Sequence, residues 1–457
     1  MPRPAGRPAL PVLVLVALAC IAPAACAGDA ATPDDSVTMT PAALVREALM
    51  HNPELAAARA EREAARARVP QAAAFEDPMI EAGLVNVPLP SLSNRSEDMT
   101  MRMLGLSQKF SFPGKRPLRR AVAEADAQGV DTASEELAHR IARDVRIEAA
   151  QLERLDGLEP LLLDAQQSLR SLATLAEGRY ALGQASQGDA LAAQSALAQL
   201  DTGLIALREE RADARATLGG LLGRPVGALR IVAGASTADA TAAAGTSAAD
   251  EDRWQSAAGQ RPQLRSLAAM VERESRALEL ARRERYPDFE LKLAYGQRQR
   301  APDGMQRPDM VTMTVAMNLP LFHDARQGPR VAEARAGAER AQAMLATQQL
   351  QTRVDIARQL AAARGADERL ALAHGTLAPQ ADALYDSRLA AYRAGRGGFD
   401  ALLEARMRQL EVARSQLDAR GQQQSARAQL DLLAGIALDP DGAYPGTMPV
   451  ANHGGTP

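Results

Sequence analysis

The chain repeats itself once along its length, and this duplication constrains its fold more than any other feature. An Asn-Pro-Glu-Leu motif that begins at Asn52 returns 209 residues later as Arg-Pro-Gln-Leu, beginning at Arg261. Tyr180 returns as Tyr392, so the spacing drifts by only three residues toward the end of the unit. Such a persistent spacing indicates two copies of one structural unit. The copies are predicted at 40–223 and 262–436.

Each copy is predicted to contain a helix, a pair of strands, a very long helix and a return helix. Val311 and Met313 alternate with Thr312 and Thr314, and this period of two indicates a strand with one apolar face. Apolar positions spaced by sevens, fours and threes in the long helix indicate a coiled-coil seam. The predicted ranges are 53–75, 77–86, 99–112, 115–180 and 189–222 in the first copy, and 262–285, 287–296, 309–321, 325–393 and 400–434 in the second.

The helix lengths predict a thin shaft. At 1.5 Å per residue, the long helix and the two shorter helices placed end to end both reach roughly 90–100 Å. The shorter helices can therefore lie side by side with the long one. A composition with only 3% aromatic residues fits such thin packing. Pro160 and Pro379 lie within the long helices and are expected to kink them.

The segments outside the copies look like processing and connecting sequences. Residues 1–27 combine a basic start with a short apolar run, as in a secretory signal peptide. Cys20 and Cys26 are the only cysteines. Either one becomes a lipidated first residue, or ordinary cleavage follows Ala27, and both alternatives remain open. We expect a linker at 233–252 and a disordered tail at 441–457.

The charge balance and the hydropathy pattern exclude two further classes. The chain has 53 basic and 56 acidic residues, whereas a nucleic-acid-binding protein presents a strongly basic face. No run of about 18 apolar residues follows the signal segment, so no transmembrane helix is predicted. An exported chain of this kind is periplasmic, secreted or an outer-membrane barrel.

The four predicted strands imply an oligomer. Each strand is about 10 to 14 residues long, which is enough for a tilted transmembrane strand. Four strands cannot close a barrel, and open sheet edges are not tolerated in lipid. A homotrimer would supply twelve strands, and its helical shafts would close into a hollow cylinder. The predicted shape is a duct from the outer membrane into the periplasm.

Several short motifs carry a resemblance to a known family. They are the Asn-Pro motif at Asn52, Phe112-Pro-Gly-Lys-Arg116, Arg179-Tyr180-x-x-Gly183, Tyr392-x-x-Gly395 and Leu221-Leu-Gly223. Their order and duplication resemble the TolC-type outer-membrane efflux family over 40–436. The segment that begins at Phe112 is most similar to the heavy-metal branch, the cobalt–zinc–cadmium and copper–silver efflux channels.

The resemblance implies a fold, a location and partners. The expected fold is α+β, a long antiparallel α-helical coiled-coil barrel joined to a transmembrane β-barrel that trimerisation completes. The expected location is the outer membrane, in contact with its lipid, with a periplasmic helical domain. The expected function is the channel subunit of a tripartite efflux system. A periplasmic adaptor and a proton-driven inner-membrane pump would deliver its cargo, with metal cations preferred.

Alternatives to metal efflux remain open. Within the same fold, the protein could be a drug-efflux outlet or a type I protein-secretion outlet. A rival of another class is a non-channel periplasmic coiled-coil scaffold lipoprotein, which predicts helix or disorder at 77–112 and 287–321. An enzyme is not expected, because the sequence contains no nucleophile–base set, phosphate loop or dinucleotide fingerprint. No cofactor is expected.

Two acidic residues near the second turn are the candidate periplasmic gate. Asp400 and Glu404 are four residues apart, so they lie on one face of a helix. In a trimer they would place six carboxylates at the narrow mouth, and the family carries an acidic gate on the corresponding helix. The alternative is that Asp400 only caps the helix N-terminus.

The turns at the far end of the shaft from the strands are candidate adaptor-docking tips. They contain Tyr180 and Gly183 in the first copy, and Tyr392 and Gly395 in the second. The first turn is followed by Ser186 and Asp189, which resemble a capping box.

Metal-binding patterns are weak in this sequence. Met99, Met101 and Met103 could form a soft-metal ladder. With Arg102 on the opposite face, we instead expect these methionines to face lipid and the polar face to line the lumen. The histidines lack ligand spacing, so packing or surface roles are expected; they are His51, His139, His323, His374 and His453.

Overall fold

The computed structural model describes residues 37–89, 97–184, 186–227, 229–232, 248–301, 303–322 and 324–436. The first copy contains β1 (Val37–Met39), α1 (Pro41–His51), α2 (Pro53–Ala73), β2 (Met79–Val85), β3 (Met101–Phe110), α3 (Lys115–Ala181), α4 (Gln187–Leu222) and β4 (Leu229–Ile231). The second contains α5 (Ala248–Ala257), α6 (Pro262–Arg283), β5 (Phe289–Arg298), β6 (Met310–Met317), α7 (Gln327–Leu372), α8 (Ala378–Arg393) and α9 (Phe399–Ala434). The predicted order of elements is confirmed in both copies.

The long helix α3 organises the first copy. Its 67 residues correspond to about 100 Å, and it packs against α2, α4, α6 and α9. The predicted seam is buried in these contacts, because its apolar residues recur on one face of the helix. The seam runs from Val130, which is partly exposed, to Leu155. Its buried residues are Leu137, Ile141, Val145, Leu152 and Leu155.

The two copies meet in one antiparallel sheet. Its strand order is β2-β3-β5-β6, and Phe110 of β3 pairs with Phe289 of β5. The strand pair of each copy is therefore joined edge to edge with that of the other. β2 and β6 are the outer strands, with one unpaired edge each among the described residues. A separate parallel pair, β1 with β4, was not predicted.

One face of the sheet is apolar and exposed. It carries large side chains of all four strands, and most are more than half exposed. The opposite face is more covered and carries small and polar residues, among them Gly105, Ser107 and Ala294. This asymmetry is that of a sheet with one lipid-contacting face. The apolar set includes Ile80, Leu104, Leu106, Leu293, Tyr295, Val311, Met313 and Val315.

The predicted orientation of the methionine row is wrong. Arg102 shares the apolar face with its neighbours Leu104 and Leu106, whereas Met101 and Met103 lie on the covered, polar face. The prediction takes Arg102 to mark the polar face of β3, but this single charged residue is near the strand end. Arg102 pairs there with Gln297, beyond the strongly apolar part of the strand. The apolar side of this sheet is decided by all four strands together.

The two helical prolines are accommodated differently. Pro160 lies within the continuous helix α3. Before Pro379, the residues Ala373–Leu377 form a π-helical turn that joins α7 to α8. Proline has no N–H to donate to the preceding turn, and a wider turn relieves the clash of its ring.

One further expectation differs from the structure. Residues 248–252 of the predicted linker belong to α5, whose Trp254 packs against a buried cluster that includes Ile356 and Leu360. Among the described residues, α4 is long and apolar enough to cross a membrane by length and composition alone. Core helices meet the same criteria, and α4 packs against α3. The buried leucines of α4 are Leu200, Leu204, Leu207, Leu218 and Leu222. Cys20, Cys26, the signal segment 1–27 and the tail 441–457 lie outside the described residues, as does 233–247.

Candidate functional site

The hairpin tips end in glycines with left-handed backbone. Gly183 has φ +68° and Gly395 has φ +72°, a conformation that side chains with a Cβ rarely adopt. Each glycine ends the last turn of its helix, and the chain then reverses into the return helix. The shared motif Tyr-x-x-Gly is therefore a helix-ending signal in both copies.

The aromatic residues of the two tips have different environments. The side chain of Tyr180 is 50% exposed, whereas Tyr392 is only 2% exposed. The Tyr392 ring packs edge-on against Phe399 at 5.6 Å, and the Arg179 guanidinium lies 4.7 Å from its centroid. Arg179 Nη1 also donates to the carbonyl of Tyr392 at 2.6 Å. Of the two tyrosines, only Tyr180 exposes its ring to solvent, while Tyr392 packs inside the second tip.

Asp400 and Glu404 are exposed on the first turns of α9. The N-cap of α9 is Gly398, which makes no side-chain capping hydrogen bond, and Asp400 is one residue inside the helix. In the part of the chain that the structure describes, neither carboxylate has a hydrogen-bond or ion-pair partner. Asp400 is thus placed to interact with the positive end of the helix, but it is not the cap residue.

The start of α4 is capped as expected. Ser186 Oγ accepts a hydrogen bond from the Asp189 amide at 3.3 Å and donates to Asp189 Oδ1 at 2.7 Å. The first tip is therefore closed by a local side-chain cap. The second tip is instead held by Arg179 of α3, which belongs to the hairpin of the first copy.

The covered face of the sheet carries a charged pair among small residues. Lys292 of β5 donates to Glu81 of β2 across the intervening strand. The pair can span β3 because Gly105 lies between the two strands, with no side chain to block the contact. Met101 and Met103 lie on this same face.

The Phe-Pro-Gly-Lys-Arg motif forms the joint between strand β3 and helix α3. Lys115 is buried, and its Nζ donates to Asp288 Oδ1 and to the Tyr286 carbonyl, both at 2.8 Å. The Phe112 amide donates to the same Asp288 oxygen at 2.7 Å. Burial alone would raise the pKa of Asp288, but these hydrogen bonds and the Lys115 charge lower it overall. Sequence analysis missed Asp288, although a conspicuous lysine after a strand could have prompted a search for its partner.

The described residues contain no group of three or more His, Cys, Asp or Glu side chains arranged to hold a metal ion.

Comparison with known proteins identifies the architecture. A family model described as "Outer membrane efflux protein" matches residues 44–224 and again 254–436. A sequence comparison with curated proteins found no match.

Several solved structures have a similar fold over most of the chain. The outer membrane protein VceC from Vibrio cholerae aligns with a TM-score of 0.71 and 21% identity, over 87% of this chain and 97% of that one. CusC aligns with a TM-score of 0.73 and 15% identity, over 90% and 95% of the two chains. The CmeC outer membrane channel of Campylobacter jejuni aligns with a TM-score of 0.70 and 14% identity, over 86% and 85%.

Proposed function

Because the chain belongs to the outer membrane efflux protein family, whose members are channels of tripartite efflux systems, we propose that it is a passive conduit for metal cations. It is an outer-membrane protein with a periplasmic helical domain. A periplasmic adaptor and a proton-driven inner-membrane pump would deliver the cargo. The observation that supports the cation preference is a pair of exposed carboxylates at the second tip, Asp400 and Glu404, which have no partner among the described residues.

We propose a homotrimer as the working assembly. The four-stranded sheet has an unpaired edge on β2 and another on β6, and exposed edges are costly in lipid. Three chains joined through these edges would give a closed barrel of twelve strands. Sedimentation in detergent should give a trimer, and a stable monomer would contradict the closed barrel.

The proposed gate places Asp400 and Glu404 where the conduit is narrowest. Six like charges in a narrow mouth would concentrate cations and repel anions. Arg393 and Arg396 are exposed nearby and would weaken this field without cancelling it.

Planar-bilayer recordings test the gate. Asp400→Asn with Glu404→Gln should reduce cation selectivity with little loss of assembly. The control is Glu54→Gln with Asp252→Asn, which removes two exposed carboxylates outside the tips. Unchanged selectivity in the tip variant, or an equal loss in the control, would place the gate elsewhere.

The cargo class needs a separate measurement. Cells that lack the protein should accumulate metal cations, and cells complemented with the wild-type gene should not. Accumulation of a neutral drug instead would favour a drug-efflux outlet, and retention of a secreted protein would favour a type I outlet. The scaffold lipoprotein is disfavoured, because the regions that it required to be helical or disordered contain the four strands of the sheet.

We propose the tips as the adaptor-docking surface, with Tyr180 and the turns at Gly183 and Gly395 facing the partner. Tyr392, which is buried, would shape this surface without touching the adaptor. A photo-crosslinking residue at position 180 should capture the adaptor. The same residue at Asp252, on α5, should not, and capture only there would contradict the proposal.

A further inference from the structure

Aromatic residues, which are scarce in this chain, gather at one end of the sheet. Five of the six phenylalanines and Tyr286 lie within a few residues of the strand ends that face the helices. Phe75 meets Phe110 edge-on at 6.1 Å, and Phe112 stacks on Tyr286 at 4.6 Å. Aromatic side chains collect where a membrane meets water. We call this set the aromatic belt; it comprises Phe75, Phe110, Phe112, Tyr286, Phe289 and Phe322.

Arginines are stacked on the aromatic belt. The Arg116 guanidinium lies 3.5 Å from the Phe75 ring centroid, and that of Arg285 lies 5.3 Å from the Tyr286 centroid. Arg283 lies against the turn at Gly114, where an added Cβ would be 3.4 Å from its Cζ. Two of these guanidinium groups, those of Arg116 and Arg285, are therefore held against rings of the aromatic belt.

Three arginines at or just beyond the end of α6 are exposed and have no acidic partner in the described part of the chain: Arg282, Arg283 and Arg285. Two nearby carboxylates are already engaged, since Glu284 pairs with Arg330 and Asp288 with Lys115. Glu76 and Asp77 are exposed close to Phe75, and Lys109 lies 3.9 Å from Glu76.

Helix-end electrostatics explains only part of this cluster. Arg282 and Arg283 are in the last turn of α6, where the helix dipole favours cations. Arg285 lies beyond the helix cap, Glu284, and stacks on a ring of the aromatic belt. The helix dipole therefore does not account for Arg285, whereas binding of a phosphate group at the membrane surface would.

We propose that Arg282, Arg283 and Arg285 bind the phosphate of anionic phospholipids in the periplasmic leaflet of the outer membrane. The aromatic belt sets the depth of the interface, and the three guanidinium groups meet the headgroups there. This site follows from the outer-membrane location and is independent of the cargo that passes through the channel.

The test compares lipid binding by full-length protein in a zwitterionic detergent, with phosphatidylglycerol or phosphatidylcholine as the probe. Native mass spectrometry should show a preference of about tenfold or more for the anionic lipid, since each interfacial cation adds several-fold. Changing all three arginines to glutamine should abolish the preference. Changing them to lysine should preserve most of it, which separates charge from folding.

The matched control is Arg170→Gln with Arg208→Gln and Arg388→Gln, three exposed arginines on the shaft helices. It should keep the preference, because it removes the same charge far from the aromatic belt. Wild-type protein without a preference, or an equal loss in the control, would overturn the site. Displacement of phosphatidylglycerol by millimolar inorganic phosphate alone would assign the site to a soluble anion and overturn the lipid assignment.

Discussion

Each copy has a short helix before its strand pair, α2 in the first and α6 in the second. Different side chains stabilise the N-terminus of this helix in the two copies. In the first copy, Asn52 Oδ1 accepts from two amides of α2 at 2.8 and 3.2 Å, and its Nδ2 donates to the Leu221 carbonyl at 2.8 Å. In the second, Arg261 stands at the equivalent position and makes no capping bond. Glu136 of α3 replaces the cap: it accepts from the Gln263 amide at 3.2 Å and from the Arg261 guanidinium at 2.6 Å.

In each copy the end of the return helix lies against the start of this short helix, and we call this contact the first or second joint. The backbone conformation at the two joints is the same. Gly223 and Gly435 both have positive φ and lie against the residues that precede the short helix. An added Cβ would be 2.8 Å from the His51 carbonyl oxygen in one copy and from Arg261 Cα in the other. A duplicated fold thus keeps its close backbone contacts, while a local neutral cap is exchanged for a long-range buried ion pair.

The largest difference between the joints should appear when the ion pair is broken. Glu136→Gln leaves the Arg261 guanidinium buried without its counter-charge, so we expect a loss of about 3–5 kcal/mol. Thermal and denaturant unfolding of the solubilised protein would measure it. Replacing both partners, Glu136→Leu with Arg261→Met, should restore most of the stability. A loss below about 1 kcal/mol for Glu136→Gln would show that the pair is not desolvated.

Substitutions of the two tip tyrosines should also differ in how much they lower the free energy of unfolding. Tyr392→Ala removes a buried ring and should cost about 3 kcal/mol or more. Tyr180→Ala should change stability by less than about 0.5 kcal/mol, because its ring is half exposed. The Tyr392 hydroxyl is buried without a hydrogen-bond partner in the described residues, so Tyr392→Phe should be neutral or slightly stabilising. Equal losses at the two tyrosines would contradict the asymmetry.

The first joint should be less sensitive than the second. Asn52→Ala removes the cap of α2 and the bond to Leu221, and the expected cost is about 1–2 kcal/mol. Asn52→Asp keeps the capping acceptor but loses the amide donor, so it separates the two contributions. If Asn52→Ala lowers the free energy of unfolding as much as Glu136→Gln does, the ion pair does not stabilise the second joint more than the cap stabilises the first.

The smallest expected effect is the pH dependence of stability that His139 contributes beside Glu136 and Arg261. Burial lowers the pKa of His139, against the opposing charges of Glu135 and Glu136, while Arg265 and Arg261 lower it further. The folded protein therefore binds the His139 proton less readily than the unfolded chain. Its contribution to stability is present above about pH 6.5 and is lost as the pH falls toward the folded-state pKa. His139→Gln should flatten the stability profile between pH 7.5 and 5.5, and an unchanged slope would contradict this assignment.

Periodicity and duplication were sufficient to predict the helices and strands that the two copies share, but not the parallel pair of β1 and β4 or helix α5. The alternation in β6 and the seam of α3 are local patterns, and each recurs in a second copy that supports the first. Sequence also located the two tips, because Tyr-x-x-Gly ends both long helices. It failed for the two faces of β3, where Arg102 is a single charged residue near the strand end. It also failed for Ala248–Ala257, a polar helix whose Trp254 packs against a core cluster from distant parts of the chain.

The sequence by itself therefore determined the twofold repeat, the order of helices and strands and the positions of the turns, because these depend on residues close together in the chain. Only the tertiary structure decided that Tyr392 is buried and Tyr180 exposed, that the methionines lie on the polar face, and that Glu136 meets Arg261. Each of these depends on elements more than 100 residues apart. Their burial and charge are set by neighbours that local spacing cannot identify.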